Sequence, residues 1–548
     1  MRGRGGAARW ALVALLAWLI GWPLAVTLAA AFSTDGAAAG ATFVEFARRP
    51  EEWLALVRSL WISAASVVAA AAVGVPLGFL FARAEFPGRR LLGDLVALPV
   101  ALPPLVGVIA FLYLYGESGV ATRVVGALVG SSGPPWRLTG AGAILVVHAY
   151  SMYVYFYLFT RAALARFDGA LLEAAASLGA APARRFFAVT LPVLRPALGS
   201  AALLTFLTAL GSFSAPYLFG GTFRVMTTQI LASKQNGDVD LAEVETVVLS
   251  LLAIVGLLAA RRLERAAAPS RQRGVPPARR SSARPAVRGA LAAAGWGLAL
   301  LLLLPHLTLA VMSLVPRASW TTELLPPELS LVNWRTFAGS AEALRPLGNS
   351  LWMAIAATAG ALVIGFAGAR VAARGGLAGR SVELLMGLPW AVPATAFAVA
   401  LATTWSVQQP LAGRFLLVGT AALLPLAYLI RALPSTGRAT LAGLAQLDPG
   451  LEEAAASLGA GKLRTLARVT VPVLRPALAA GAALAFLAAF GDFVLSIVLY
   501  TFTTRPVSIE ILSSLRLQET GLAAVYGVLL TALSALAFLL FGRERESA

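Results

Sequence analysis

Apolar and polar positions along this chain fall into blocks. Apolar runs read at about 10–32, 58–82, 91–115, 140–160, 197–219 and 243–262, separated by short loops that carry arginine. A second series reads at about 289–315, 349–373, 381–405, 413–434, 477–499 and 521–542. A run of about 20 apolar residues is what an α-helix needs to cross a bilayer core. The pattern predicts an all-α integral membrane protein of about twelve transmembrane helices, six in each half. Between the two series, residues 261–288 hold nine arginines and one acidic residue, Glu264, with Pro, Ser and Gly and no apolar run. This reads as a basic linker, so the expected division is 1–262, 263–288 and 289–548.

The first apolar run follows Arg2, Arg4 and Arg9, and Ala29 to Ala31 resemble a signal-peptide cleavage site. The run is longer than a signal h-region of ~7–15 residues and is read as an uncleaved span entering from the cytoplasm.

Composition agrees with a membrane protein. Of 548 residues, 59% are hydrophobic and 13% charged, against about half and a quarter in soluble domains. Abundant Gly and Pro are tolerated in membrane helices. The net charge of +18 is concentrated in short loops between apolar runs, which points to membrane topology rather than nucleic acid. Loops assigned inside hold Arg83, Arg89, Arg90, Arg184 and Arg185 in the first half, and Arg370, Arg374, Arg380, Arg431 and Arg438 in the second. Loops assigned outside mix signs, as in Glu117 with Arg123. The bias places both termini in the cytoplasm. There is no Cys, hence no thiol chemistry, and the two histidines, His148 and His306, are isolated and read as polar contacts rather than metal ligands.

The halves repeat. Ser59-Leu60-Trp61 pairs with Ser350-Leu351-Trp352, and Leu98-Pro99 and Pro103 with Leu388-Pro389 and Pro393. Arg224 pairs with Arg505. Equivalent loops fall on the same side, so the repeat is parallel, with a pathway expected between the halves. The strongest repeat is EAAASLGA, from Glu173 and again from Glu453, followed by LPVLRPAL and VPVLRPAL, which end at Leu198 and Leu478. Glu173 to Leu178 favours a short helix, and Gly179 a left-handed stop. Ala181 to Val189 favours a second helix, which Pro192 and Pro196 are expected to break. The product is a helix–turn–helix on the cytoplasmic face. In a single copy, such a motif is commonplace in Ala-rich helices. Here both copies share the Glu, the Gly and the Pro at equal spacing, before the fifth span of each half.

These residues resemble the EAA loop, E-A-A-x-x-x-G-x9-I-x-L-P, of membrane subunits of type I binding-protein-dependent ABC importers. Glu173, Ala174, Ala175, Gly179, Leu191 and Pro192 fit, as do Glu453, Ala454, Ala455, Gly459 and Pro472. Val189 and Val469 replace the Ile, and Val471 the Leu. In that family the loop is the coupling helix seated in the ATPase. The resemblance covers both halves and so implies a fused permease in a bacterial inner membrane. It implies two copies of a separate ATPase subunit on the cytoplasmic side, with ATP and Mg bound there, and an external solute-binding protein. The stretches Ser212–Gly221 and Leu499–Ile511 look most like the iron(III) branch; thiamine, polyamine or phosphonate permeases are the alternatives.

The chain has no G-x4-G-K-[ST] loop of its own, so ATP hydrolysis is expected elsewhere. Gly459-Ala460-Gly461-Lys462 is followed by Leu463 and is a decoy. No cofactor, metal site or catalytic constellation is expected in this chain. Pro99, Pro103, Pro389 and Pro393 interrupt the third span and its counterpart. They are either plain kinks or freed carbonyls facing a path. Asp492, in the eleventh span, must face the protein interior, and its counterpart is Ser212. Ser212, Ser214 and Asp492 either line the pathway or make structural hydrogen bonds. Arg224 and Arg505 are expected outside, where a binding protein would dock. A gradient-driven secondary transporter of twelve spans is the competing class. Gly88-Arg89-Arg90 fits that class loosely, but Ala84-Glu85 stands where its acid–base pair belongs. A membrane enzyme or scaffold finds no support in any residue cluster.

Overall fold

The computed structural model describes residues 2–33, 40–97, 99, 103–266, 285–316, 326, 328–406 and 416–542. Regular structure among them is helical. Ten helices are long and apolar enough to cross a membrane, and the bent pair Gly376–Ala391 and Ala394–Ser406 makes an eleventh. Leu423–Leu444 carries Arg431 and Arg438 and is not among them. The chain is a multi-pass membrane protein. The basic linker expected at 263–288 lies largely outside the described residues; Val239–Ala266 ends within it and Pro285–Met312 begins within it.

Five expected spans differ, as does the re-entry at the EAA motif. The third span is two helices, Arg89–Ala97 and Pro104–Tyr115, parted at the proline stretch. Its counterpart bends by 110° between Gly376–Ala391 and Ala394–Ser406. The span expected at 413–434 is Leu423–Leu444, so Arg431 and Arg438 are helix residues rather than loop residues; residues 407–415 lie outside the described set. The fifth and eleventh spans begin at the EAA motif and end early, at Leu210 and Phe490, each followed by a break and a short helix. Finally, Pro192 and Pro196 do not break the chain's re-entry. A π-turn, Phe186–Thr190, joins Pro182–Arg185 to Leu191–Leu210 without interruption. Pro192 sits in the first turn of the following helix, where an absent N–H costs little. Pro196 is absorbed inside the helix.

The halves interlock through their first helices. Leu16, Leu19 and Ile20 of the first half join one core with Ala396, Phe397 and Leu401 of the second, and Trp18 meets Trp405 at 6.2 Å. In return, Pro285–Met312 packs on the first half: Tyr150 Oη donates to Leu302 O at 2.7 Å, and Trp296 covers Gly88. A further tie is Tyr113 Oη to Thr520 O at 2.7 Å. Each half thus completes the other's core, as lipid-immersed helices without a hydrophobic drive between them require close packing to associate.

Candidate functional sites: two loops and a seam

Each EAA motif folds as the residue types direct. Asp168 Oδ1 accepts from Ala170 N at 3.0 Å and opens helix Ala170–Ser177; Asp448 Oδ1 accepts from Gly450 N at 2.9 Å and opens Pro449–Ser457. Asp448 is the N-cap of its helix and Asp168 stands just before the Gly169 N-cap of the other; at either place a carboxylate satisfies an orphan N–H and suits the positive helix end. This repeated Asp was missed in the sequence, although its signal is plain. Glu173 and Glu453 stand exposed on these helices, each receiving the hydroxyl of the Ser four residues on at its carbonyl, at 3.0 Å. Gly179 and Gly459 end the helices at φ +75° and +80°, a conformation that glycine adopts without strain. Leu178 and Leu458 follow the helices as knobs, each 88% exposed, with Leu463 at 82% and Phe187 at 64%. Apolar side chains this exposed on an arginine-bearing loop mark a contact surface.

The two loops are tethered differently. In the second, Arg370 Nη2 lies 3.5 Å from Glu452 Oε1, which also accepts from Thr470 Oγ1 at 2.6 Å. In the first, Leu172 stands where Glu452 does and Phe79 where Arg370 does. Phe79 instead packs on Phe186 at 5.6 Å.

The other site is the seam between the halves. Leu191–Leu210 breaks at Gly211–Phe213, and Val471–Phe490 breaks at Gly491–Phe493. A methyl group at Gly491 would lie 2.7 Å from Pro103 Cβ, and one at Gly211 would lie 3.9 Å from Pro393 Cβ. The proline break of each half therefore packs on the glycine break of the other. Phe213 and Phe493 meet across the seam at 5.7 Å, and Tyr217 stacks on Phe213 at 5.1 Å. Both phenylalanines are buried, so the seam is closed by aromatic rings. Arg516 of the second half donates to Tyr217 Oη at 2.5 Å, a further bridge between the halves.

The polar seam residues already have partners. His148 Nδ1 is 2.8 Å from Ser66 Oγ, and Nε2 is 2.9 Å from Ser212 Oγ. The Ser66 hydroxyl donates to Ile62 O, so neutral His148 donates from Nδ1 and Nε2 accepts from Ser212. Asp492 Oδ1 accepts from Ser496 N and Oγ at 3.0 and 3.1 Å, capping the short helix Val494–Leu499. It sits at a helix break rather than inside a continuous span. Thr227 donates to Ser212 O and Ser508 to Asp492 O, at 2.7 and 2.6 Å, the same bond in both halves. Ser214 is buried in the first turn of Ser214–Phe219.

The prolines do free carbonyls. Pro393 has no N–H for Pro389 O four residues back, and Arg431 Nη1 fills the gap, donating to Pro389 O and to Val392 O. Pro103 caps Pro104–Tyr115 through its carbonyl, and Pro99 lies in the preceding turn. The Tyr150 hydroxyl gives its one proton to Leu302 O, so His306 Nδ1 donates to Tyr150 Oη at 3.0 Å. Among the described residues no three His, Cys, Asp or Glu are grouped to hold a metal ion.

Ser59 Oγ accepts from Met226 N at 2.8 Å and Ser350 Oγ from Val507 N at 2.9 Å. The repeated Ser-Leu-Trp stretch therefore holds the second helix after each break, Met226–Gln235 and Val507–Arg516. Arg224 and Arg505 precede those helices, and Arg505 pairs with Glu510 at 3.0 Å. A carboxylate group escaped the sequence reading: Glu52 receives Gln229 at 2.9 Å, Glu245 receives Ser233 at 2.7 Å, and Glu243 receives Thr403 of the other half at 3.1 Å.

The family model of the binding-protein-dependent transport system inner membrane component matches residues 74–271 and again 361–543. The chain belongs to this family, twice over. It is a fused permease of a type I ABC importer, and permease subunits are not themselves enzymes. A probable ABC transporter permease protein of Sinorhizobium fredii is 29% identical over 97% of this chain and 96% of its own length. The ferric transport system permease protein of Actinobacillus pleuropneumoniae is 26% identical over 79% of this chain and 62% of its own length. The molybdenum transport system permease protein of Mycobacterium tuberculosis is 35% identical, over 32% of this chain and 66% of its own. The competing secondary-transporter class is thereby set aside.

Proposed function

We propose that this permease carries iron(III), delivered by an external binding protein, between its two halves and into the cytoplasm. Two copies of an ATPase subunit would seat on the loops Glu173–Leu198 and Glu453–Leu478, with the apolar knobs Leu178 and Leu458 in their grooves and both termini on the same cytoplasmic face. ATP and Mg belong to that partner. Closure of the ATPases would draw the loops together and part Phe213 from Phe493, opening the seam.

The observation that carries the iron reading is extent. The ferric relative matches across both halves, 460 residues, whereas the molybdenum relative matches 179. Asp492, Ser212 and Ser214, beside Pro99, Pro103, Pro389 and Pro393, would border the path once the rings part. The carboxylate suits a cation, although in the closed seam its oxygen is bound to Ser496. Arg224 and Arg505 would face the binding protein.

Uptake of labelled iron(III), molybdate and thiamine in a strain lacking this gene tests the cargo. Loss of iron uptake alone is expected; loss of molybdate or thiamine uptake with normal iron uptake would overturn it. The coupling assignment is tested separately by Glu173→Lys with Glu453→Lys, which should abolish stimulation of ATPase activity in proteoliposomes while the permease still inserts.

A further inference from the structure

We infer that a groove between helix Arg2–Leu16 and helix Ala341–Ala373 binds the phosphate of an anionic phospholipid through Arg9 and Arg374. The groove encloses about 480 Å³, and its only charged lining residues are these two arginines. The rest of its wall is leucine, valine and alanine, including Leu12, Leu15 and Val371. Neither arginine has an ion-pair partner among the described residues. Arg9 Nε is buried with no hydrogen-bond partner. A guanidinium beside an apolar wall, with a donor unmet, calls for an anion that brings apolar surface with it.

Position decides between a lipid and a free phosphate. Arg374 caps the C-terminal end of Ala341–Ala373, one turn beyond Arg370, which reaches the second coupling loop. The groove therefore lies at the loop end of the bundle, where helices leave the apolar layer. Trp10, beside Arg9, is 50% exposed, as an interfacial aromatic is. Basic pockets between membrane helices at this level recognise lipid headgroups. Inorganic phosphate would leave the leucine wall unused, whereas an acyl chain covers it. Arg2–Leu16 belongs to the first half and Ala341–Ala373 to the second, so a bound lipid would staple the halves together. The inference is independent of the cargo.

The full-length chain, purified in detergent and delipidated, is titrated with phosphatidylglycerol, phosphatidylcholine or inorganic phosphate. Bound lipid is counted by native mass spectrometry and unfolding is followed by thermal melt. Phosphatidylglycerol should bind and raise the melting midpoint; the other two should do neither. Arg9→Gln with Arg374→Gln should weaken phosphatidylglycerol binding by roughly tenfold to thirtyfold, and Arg288→Gln, another exposed arginine, should not. Ala11→Trp with Ala367→Trp fills the groove without altering charge and should exclude the lipid. Equal retention by wild type and the double Gln variant would overturn the inference. So would equal binding of phosphatidylcholine, or an equal shift from phosphate alone. If the Gln variant fails to fold, the Trp variant decides: undiminished phosphatidylglycerol binding there sinks the lipid site.

Discussion

Gly491 and Pro103 meet across the two halves so closely that a single methyl group on the glycine would lie 2.7 Å from the proline Cβ and 2.8 Å from its Cγ. The ring is rigid and cannot swing aside. Gly491→Ala should therefore cost about 1–3 kcal/mol by overpacking. Gly211→Ala, whose nearest neighbour is Leu207 O at 3.5 Å, should be close to neutral. Thermal melts of the two purified variants check this; equal midpoints would show that the proline stretch can yield at no cost.

Ser59 and Ser350 should matter for stability rather than cargo. Each is buried and accepts the first backbone N–H of the second helix after a break. Alanine leaves that donor unmet, at about 1–3 kcal/mol. Both variants should melt early, and cysteine accessibility of Met226→Cys or Val507→Cys in the alanine background should rise. Unchanged accessibility would mean that the helix is held by other contacts.

Arg431 is a clamp on the re-entrant bend. Its guanidinium meets the carbonyls of Pro389 and Val392, with Asp492 as the nearby compensating charge. Arg431→Met keeps the bulk but removes the donors, and should destabilise by about 1–3 kcal/mol for each carbonyl left bare. Arg438→Met serves as control: that guanidinium lies on the exposed Trp390 ring at 5.1 Å, and its loss should cost under about 1 kcal/mol. Comparable melts for the two would remove Arg431 from this role.

The second coupling loop should be salt-sensitive and the first should not. Arg370 and Glu452 are about one-third exposed, so their attraction is screened and worth at most about 1 kcal/mol. Arg370→Glu should uncouple ATPase stimulation from transport, and adding Glu452→Arg should restore it in part. Phe79→Ala, which removes the ring packed on Phe186 of the first loop, should have an effect that salt does not change. If the reciprocal double variant behaves as the sum of the singles, the ion pair does not position the loop.

Block length alone determined that this chain crosses a membrane as helices, because a run of about 20 apolar residues matches the core thickness as a helix, which pairs its backbone internally, whereas a barrel strand needs only about 10. The repeat was equally legible: Ser-Leu-Trp, paired prolines and EAA motifs recur in the same order in both halves, and local rules for Ala, Gly and Asp give the loops their shape without outside help. What the tertiary structure decided was every relation between the halves. No local signal says that Pro103 seats on Gly491, that Trp18 seeks Trp405, or that Arg431 belongs to the Pro389 carbonyl rather than to a loop. Those partners are fixed by which surfaces meet, hundreds of residues apart in the chain. Spans were misplaced for the same reason. Apolar runs mark where a helix is soluble in lipid, while Gly211, Gly491 and Pro393 end helices where another half packs against them. For Ser212 and Asp492 the sequence left a path-lining role and structural hydrogen bonds both open, because the chain does not display His148 and Ser496 closing on them.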